Sequence, residues 1–381
     1  MKFVLFCHSF ISCWNHGNAH FLRGVARELL QLGHRVVVYE PEDGWSRLNL
    51  LRDHGAAAFD AASGIVPGVE LQSYRLETFD CEAALDGADV VIVHEWTAPD
   101  LVGRVGDLRA RGGRFLLLFH DTHHRAATAP AEIDAFDLEG YDAVLAFGEV
   151  LREVYARRGW GRQVFTWHEA ADTALFHPLP AERKDTDLIW IGNWGDGERD
   201  AELTEFLVEP ATQLRLRACI HGVRYPQELA ERLRMHGAQY AGWLPNHRVP
   251  EAFARARLTV HVPRRPYVEA LPGIPTIRVF EALACGIPLV SAPWRDAEGL
   301  FPNGSFSIAA DGAQMQSALS RLLHDEAFAA EQVRTGLDAI RSRHTCAHRV
   351  QELLRIVAGL RAPARSLGDV GARAAEQVVQ L

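Results

Sequence analysis

The sequence predicts two doubly wound α/β domains, each a parallel sheet flanked by helices, facing one another across a cleft. Three observations carry this. The chain has 381 residues, too long for one ordinary domain and suited to two of roughly 150–200 residues. Short apolar runs alternate with longer amphipathic ones, the pattern of strand–helix–strand units, whose crossover hand gives a parallel sheet covered on both faces. The alternation breaks near the middle, at AADTALFHPLPAER (170–183), a segment with two prolines and no period.

Phe3–Cys7 is a continuous apolar run, as in a strand buried on both faces. The loop Ser12–Asn18 follows and contains Gly17. His20–Leu32 then has helical spacing, with Phe21, Val25, Leu29 and Leu32 on one face. Gly33 stops it, and Arg35–Tyr39 is the next strand. Val90–Val93 ends at His94-Glu95-Trp96, Phe115–Phe119 at His120-Asp121, and Ala143–Phe147 at Gly148. Past the break, strands are expected at Leu188–Ile191, closed by Gly192, and at Leu214–Ile220, Gln239–Gly242, Leu258–Val262 and Pro288–Ser291. The clearest helix among them is Thr276–Cys285, ended by Gly286. After Ser307 the pattern is helical, over Gln314–Leu323, Ala327–Ile340 and Arg349–Leu360, and the stretch from Ala362 is expected to fray. The implied organisation is a first domain over 1–172, a linker over 173–183, a second domain over 184–345, and a C-terminal helix and tail over 346–381 that can cross back to the first domain.

Composition narrows the class. A hydrophobic fraction of 48% and a charged fraction of 23% exclude a disordered or fibrous chain. No run approaches the roughly 18 apolar residues of a membrane span, although contact with a membrane surface stays open. A formal charge of −9 gives no nucleic-acid signal. The six cysteines are scattered without a CxxC pair, which argues against a disulfide scaffold or a Cys-rich zinc site. The start, MKFVLFCHSF, reads as a strand rather than a signal peptide, so a cytoplasmic protein is expected.

In open parallel sheets, ligands sit beyond the carboxyl ends of the strands, and clefts between domains are preferred ligand sites. Several segments there resemble one family. TWHEAADTALFHPLP resembles the linker of glycosyltransferases with two Rossmann-like domains (the GT-B architecture), which typically reads nGvDt..F.P; Asp172, Phe176 and Pro178 hold those places. YAGWLPNHRVPEAFARARLTVHVP resembles the same enzymes' Gly-hydrophobic-Pro turn, helix and strand. RVFEALACGIPLVSAP resembles their diagnostic EAmAcGxPVi element. With LIWIGNWGDGERDAEL the likeness is nearest to the group-1, spore-coat-type (CgeB-like) branch, over Phe3 to about Leu360.

PGIPTIRVFEALACG is a Pro/Gly loop running into a helix, whose N-terminus suits a pyrophosphate. Thr276 is placed to cap or to bind phosphate, and Arg278 adds charge. The resemblance implies that Glu281 accepts hydrogen bonds from the nucleotide ribose. It also implies a second Glu eight positions earlier, touching the donor sugar, but that place is Gly273. The backbone N–H groups of Gly273 and Ile274, or the side chain of Glu269, are the substitutes. In IGNWGDGER the family's phosphate-neutralising Arg position is Asn193, after Gly192, and Arg199 is the loop's only positive residue. Arg264 and Arg265, after LTVHVP, either reach the phosphates or are solvated. In the first domain, Gly17 allows close backbone approach, and Asn15, His16 and Asn18 supply polar contacts. His120 and Asp121 are the expected catalytic residues: His120 matches the family histidine that faces the donor sugar, where a strand-end His can donate to a sugar hydroxyl or a developing charge. Trp243, Leu244 and Pro245 follow a strand end and either wall the base or form a buried turn.

The expected function is a glycosyltransferase (hexosyltransferase-like) moving a sugar from a nucleoside-diphosphate donor to an unidentified acceptor, retaining and metal-independent, with no cofactor. Other classes compete with it. A metal-dependent hydrolase would use the dense His120, Asp121, His123, His124 cluster, which lacks an HExxH helix. Asp185-Thr186-Asp187 resembles a metal-binding DxD but precedes its strand, so it reads as linker polarity. An NAD oxidoreductase would have Glu40 at the end of the second strand, but the GxGxxG turn is absent. A noncatalytic nucleotide-sugar-binding scaffold is favoured by Gly273.

Overall fold

The computed structural model describes residues 1–362 apart from 16, 181, 182, 196 and 236. His16, two linker positions and the tail over 363–381 lie outside the described residues.

The first sheet contains β1 (Lys2–Phe6), β2 (Arg35–Pro41), β3 (Glu70–Tyr74), β4 (Val90–His94), β5 (Leu116–Asp121), β6 (Ala143–Ala146) and β7 (Val164–Thr166). All pair in parallel, in the order β3-β2-β1-β4-β5-β6-β7. The second contains β8 (Thr186–Ile191), β9 (Ala218–His221), β10 (Gln239–Gly242), β11 (Ala256–His261), β12 (Leu289–Ser291) and β13 (Ser307–Ile308), in the order β10-β9-β8-β11-β12-β13. Each sheet therefore winds outward in both directions from its first strand. Each has its topological switch point between its first and fourth strands, the crevice where ligands bind in such folds. Both domains are Rossmann-like.

The central strands form because they can be buried on both faces. In β1, Phe3 and Leu5 join one apolar cluster while Val4 and Phe6 join another on the opposite face. Periodicity missed the edges. β3 (ELQSY) and β7 (VFT) are largely half-exposed and carry no continuous apolar run. β9 starts at Ala218 rather than Leu214, because Arg215 takes a left-handed turn conformation (φ 52°) before it. The helix Ile277–Cys285 starts after Thr276 and stops at a left-handed Gly286 (φ 67°). Eight of its nine residues are buried, so it is a core element of the second domain, not a surface one.

One apolar cluster runs through both halves. It takes in Phe21 and Val25, then Trp167 and Phe176, then Val279 and Phe280, and ends at Leu353 and Val357. The linker and the chain's return run side by side: Ala171 N–H donates to His344 O at 3.0 Å, and Cys346 N–H to Ala171 O at 2.9 Å. The last helix, Cys346–Arg361, lies on the first-domain helix Ala19–Gln31. Gly24 permits that approach, since a Cβ there would stand 2.4 Å from Cys346 Sγ. No helix among the described residues is long and apolar enough to cross a membrane.

Candidate functional site

The carboxyl ends of the two sheets face each other across an inner chamber of about 180 Å³, which opens into an outer cleft of about 1100 Å³. Asn15, Gly17, Asn18, Thr122, Gly222, Trp243, Arg264 and Tyr267 line both. From the second domain come the ends of β8 (Ile191, Gly192, Asn193) and β11 (His261, Val262), and the helix N-terminus Thr276-Ile277-Arg278. From the first come the loop after β1, Thr122, Phe147 and Glu169.

The second-domain wall is cationic. Arg199 is buried and places its guanidinium between the two strand ends, donating from Nη1 to Val262 O at 2.8 Å and from Nη2 to Asn193 O at 2.6 Å. Burial first, and the nearby Arg264 second, lower its pKa to about 10. Asn193 is a brace rather than a charge: its Oδ1 accepts Val223 N–H at 2.9 Å, and its amide donates to Asn15 Oδ1 across the cleft. Arg264 pairs with Glu198 at 3.1 Å and stays in the lining, whereas Arg265 is tied to Glu202 at 2.6 Å outside it. Thr276 occupies the N-cap position, but its side chain makes no capping bond. Its hydroxyl is therefore uncommitted beside a helix start whose first N–H groups have no intrahelical partner. Gly17 sits against this turn, and a Cβ on it would be 3.1 Å from Ile277 Cγ2. Gly192 and Gly222 bring bare backbone to the lining; a Cβ on Gly222 would stand 2.0 Å from Gly192 O.

Trp243 and Leu244 line the chamber, and the Trp243 ring lies 4.5 Å from that of first-domain His54. His261 was not singled out from the sequence, although it ends a strand. Its Nδ1 is 2.9 Å from Ser291 Oγ, and burial, with Arg199 adding, lowers its pKa to about 3.

Several expected site residues lie elsewhere. Glu281 is fully buried and outside the lining; its Oε1 is 2.6 Å from His20 Nδ1, and its Oε2 meets Arg278. That triad joins the domains. Gly273 (φ 101°) packs towards Ala297 and Glu298, Ile274 is buried against Gly148, and Glu269 is exposed. None of the three lines the chamber. Ile274 packs on first-domain Gly148, and beside it Glu298, from the second-domain loop after β12, accepts Glu149 N–H at 2.9 Å and meets His168 Nε2 at 2.7 Å.

His120 corrects the expectation of a residue facing the cleft. It is fully buried among Phe21, His94 and Trp167, because residues alternate faces along β5 and its ring enters the core. Asp121 accepts Tyr155 O–H at 2.7 Å and His123 N–H at 2.9 Å, which orients the turn. Thr122, missed in the sequence, is the residue of this segment that reaches the chamber. It accepts from Asn18 Nδ2 at 2.6 Å and donates to Glu95 Oε1 at 3.1 Å, and Glu95 Oε2 in turn is 2.7 Å from His94 Nδ1. Burial is the first cause that raises Glu95 to about 8 and lowers His94 to about 3. His123 and His124 contact each other, and His124 also faces Thr128 and Glu198. Among the described residues no group of three or more His, Cys, Asp or Glu is placed to hold a metal ion. Glu40 is spent on the first loop, accepting Phe10 and Ile11 N–H at 2.8 and 3.1 Å.

Residues 199–355 match the model of a family described as "Glycosyl transferase-like". Solved structures match almost end to end. A sucrose-phosphate synthase from Thermosynechococcus elongatus is 15% identical, with a TM-score of 0.63 over 94% of this chain and 99% of that one. Anabaena HepE in complex with UDP is 14% identical, with a TM-score of 0.65 over 94% and 100%. T4 phage BGT in complex with its UDP-glucose substrate is 13% identical, with a TM-score of 0.59 over 94% and 99%. No curated protein sequence matches the chain. The architecture is that of the GT-B glycosyltransferases.

Proposed function

We propose that this chain is a glycosyltransferase of the group-1, spore-coat-type branch. In this reading it moves a hexosyl group from a nucleoside-diphosphate donor to an acceptor hydroxyl, without a bound metal or cofactor and with retention of configuration. The observation that carries the reading is the chamber at the meeting of the two switch points. There the start of Ile277–Cys285, the uncommitted Thr276 hydroxyl and the guanidinium groups of Arg199, Arg264 and Arg278 converge. Helix N–H groups and fixed cations suit a diphosphate. They also stabilise the charge that grows as it departs, usually a large catalytic contribution.

The nucleotide lies against the second domain, its base beside Trp243 and Leu244, and the acceptor enters through the outer cleft. The acceptor oxygen bonds to the anomeric carbon as the carbon–oxygen bond to the diphosphate breaks. The diphosphate leaves with the bonding pair and takes up the acceptor's proton. UDP and UDP-glucose, named in the descriptions of two structural relatives, make uridine the first base to try.

The test is thermal denaturation against UDP, GDP and dTDP. A ligand that binds only the native state adds about 2.7 kcal/mol at a hundredfold excess over its Kd. A protein that no nucleoside diphosphate stabilises, these three or any other, does not use a nucleoside-diphosphate donor. The shift and any turnover are expected to persist in EDTA, and anomeric NMR of the product reads the stereochemistry. A noncatalytic nucleotide-sugar-binding scaffold is the second reading, favoured by the commitment of Glu281 to His20 and Arg278. Donor hydrolysis or transfer separates the two.

A further inference from the structure

Among the described residues, Glu169 is the only acidic side chain that lines the inner chamber. It lies just past β7, where the chain leaves the first sheet, and is 3% exposed. Its main chain is anchored, with Arg349 Nε 3.4 Å from its carbonyl oxygen. Its side chain is not: Oε1 has no hydrogen-bond partner. The charged groups that act on it, Glu281 and Glu95, are acidic, and together with burial, the larger cause, they push its pKa well above the ordinary value. The other carboxylates nearby are committed, Glu95 to Thr122, Asp121 to Tyr155, and Glu281 to His20 and Arg278. A buried carboxyl without a partner costs stability, and a group kept at such a cost in a chamber wall is available to a ligand.

The chamber is divided by charge. Its cations come from the second domain, whereas Glu169, Thr122, Asn18 and Phe147 come from the first and carry no positive charge. A diphosphate held by the cations leaves the first-domain side to the group it carries. We propose that Glu169 is a sugar-binding residue: its carboxyl group meets a hydroxyl of the transferred sugar, and the nucleotide is bound without it. In its neutral form the carboxyl donates one hydrogen bond and accepts another, which suits a sugar hydroxyl and avoids repelling the diphosphate. This inference rests on the nucleotide-sugar reading above.

The test compares the wild-type protein with Glu169→Gln and Glu169→Leu, using UDP, GDP, UDP-glucose, UDP-N-acetylglucosamine and GDP-mannose as probes. Three results are expected. Without ligand, Glu169→Leu melts above wild type, because the unpartnered carboxyl is gone. Affinity for the bare nucleoside diphosphate is kept in both variants. Affinity for the preferred sugar nucleotide falls about tenfold or more in Glu169→Leu, as for a lost hydrogen bond to a buried polar group, and recovers in Glu169→Gln, whose amide also donates and accepts. Should the leucine variant not fold, Glu169→Ala carries the same comparison. The inference is overturned if the leucine or alanine variant binds the sugar nucleotide as wild type does, or loses the bare diphosphate equally. A wild-type protein that no probe stabilises overturns the donor reading and this inference together.

Discussion

The two sheets share one strand order, yet the ends of equivalent strands behave in opposite ways. In the first domain, β1 and β4 run out into Cys7, His8, His94 and Glu95, all at most 3% exposed. Burial shifts each towards its neutral form, His8 and His94 to about 3 and Glu95 to about 8. In the second domain, the matching β8 and β11 end in Gly192-Asn193 and His261, and the cation Arg199 is drawn between them. Topology sets where the crevice lies. What fills it depends on side-chain size: bulky polar groups close the first domain's crevice with internal partners, while glycines leave the second domain's crevice open to backbone and arginine.

The sharpest way to break this contrast is to close the glycine end. Gly222→Ala sets a methyl group 2.0 Å from Gly192 O, so the backbone must move, and a loss of about 3 kcal/mol is expected. First-domain Gly64→Ala, with nothing within 4 Å of its Cβ, should stay within about 0.5 kcal/mol. Equal denaturation midpoints for the two variants would remove the distinction.

Next in size is the triad that joins the halves. Glu281→Ala leaves His20 and Arg278 without their shared partner, for an expected loss of about 2 kcal/mol in chemical denaturation. His20→Ala serves as its control. A ribose contact by Glu281 would appear as nucleoside-diphosphate affinity lost in the first variant and kept in the second.

The neutral first-domain end also has a pH signature. Glu95 titrates near 4.5 when unfolded and about 8 when folded. Between those values the folded state holds the extra proton, so stability declines as pH rises through that window. Glu95→Gln should flatten the decline in melting temperature, and an unchanged slope would assign it to other groups.

On the open side, Thr276→Val removes a hydroxyl that caps nothing. Melting temperature should hold while nucleoside-diphosphate affinity drops about tenfold, the worth of one hydrogen bond. Titration calorimetry showing no change would move the diphosphate away from this helix. The smallest effect is expected at His120, whose ring nitrogens have no hydrogen-bond partner. His120→Leu should stay within about 1 kcal/mol in stability, with donor turnover intact. A fall of roughly 10²-fold, as for a lost acid–base group, would return His120 to the chemistry.

Much of this was legible beforehand. The buried strands announced themselves through continuous apolar runs, the helix Ile277–Cys285 through Thr276 before it and Gly286 after it, and the anion-suited turn through PGIPT. These are local properties, fixed by propensity, capping and the need to bury apolar faces, so sequence alone determined the two wound sheets and the cleft. It also picked out Gly17, Asn18, Gly192, Asn193, Arg199, Trp243, Leu244, Thr276 and Arg278, which the fold gathers around one chamber. What only the tertiary structure decided is which polar groups face that chamber and which are consumed behind it. His120 and Glu281 sit where a linear motif places chemistry, yet the former is packed under Trp167 and the latter is bound by a histidine 261 positions away in sequence. Glu169, Thr122 and His261 reach the chamber with little local signal, because orientation and partner supply are set by contacts between distant segments, which no single stretch of sequence encodes.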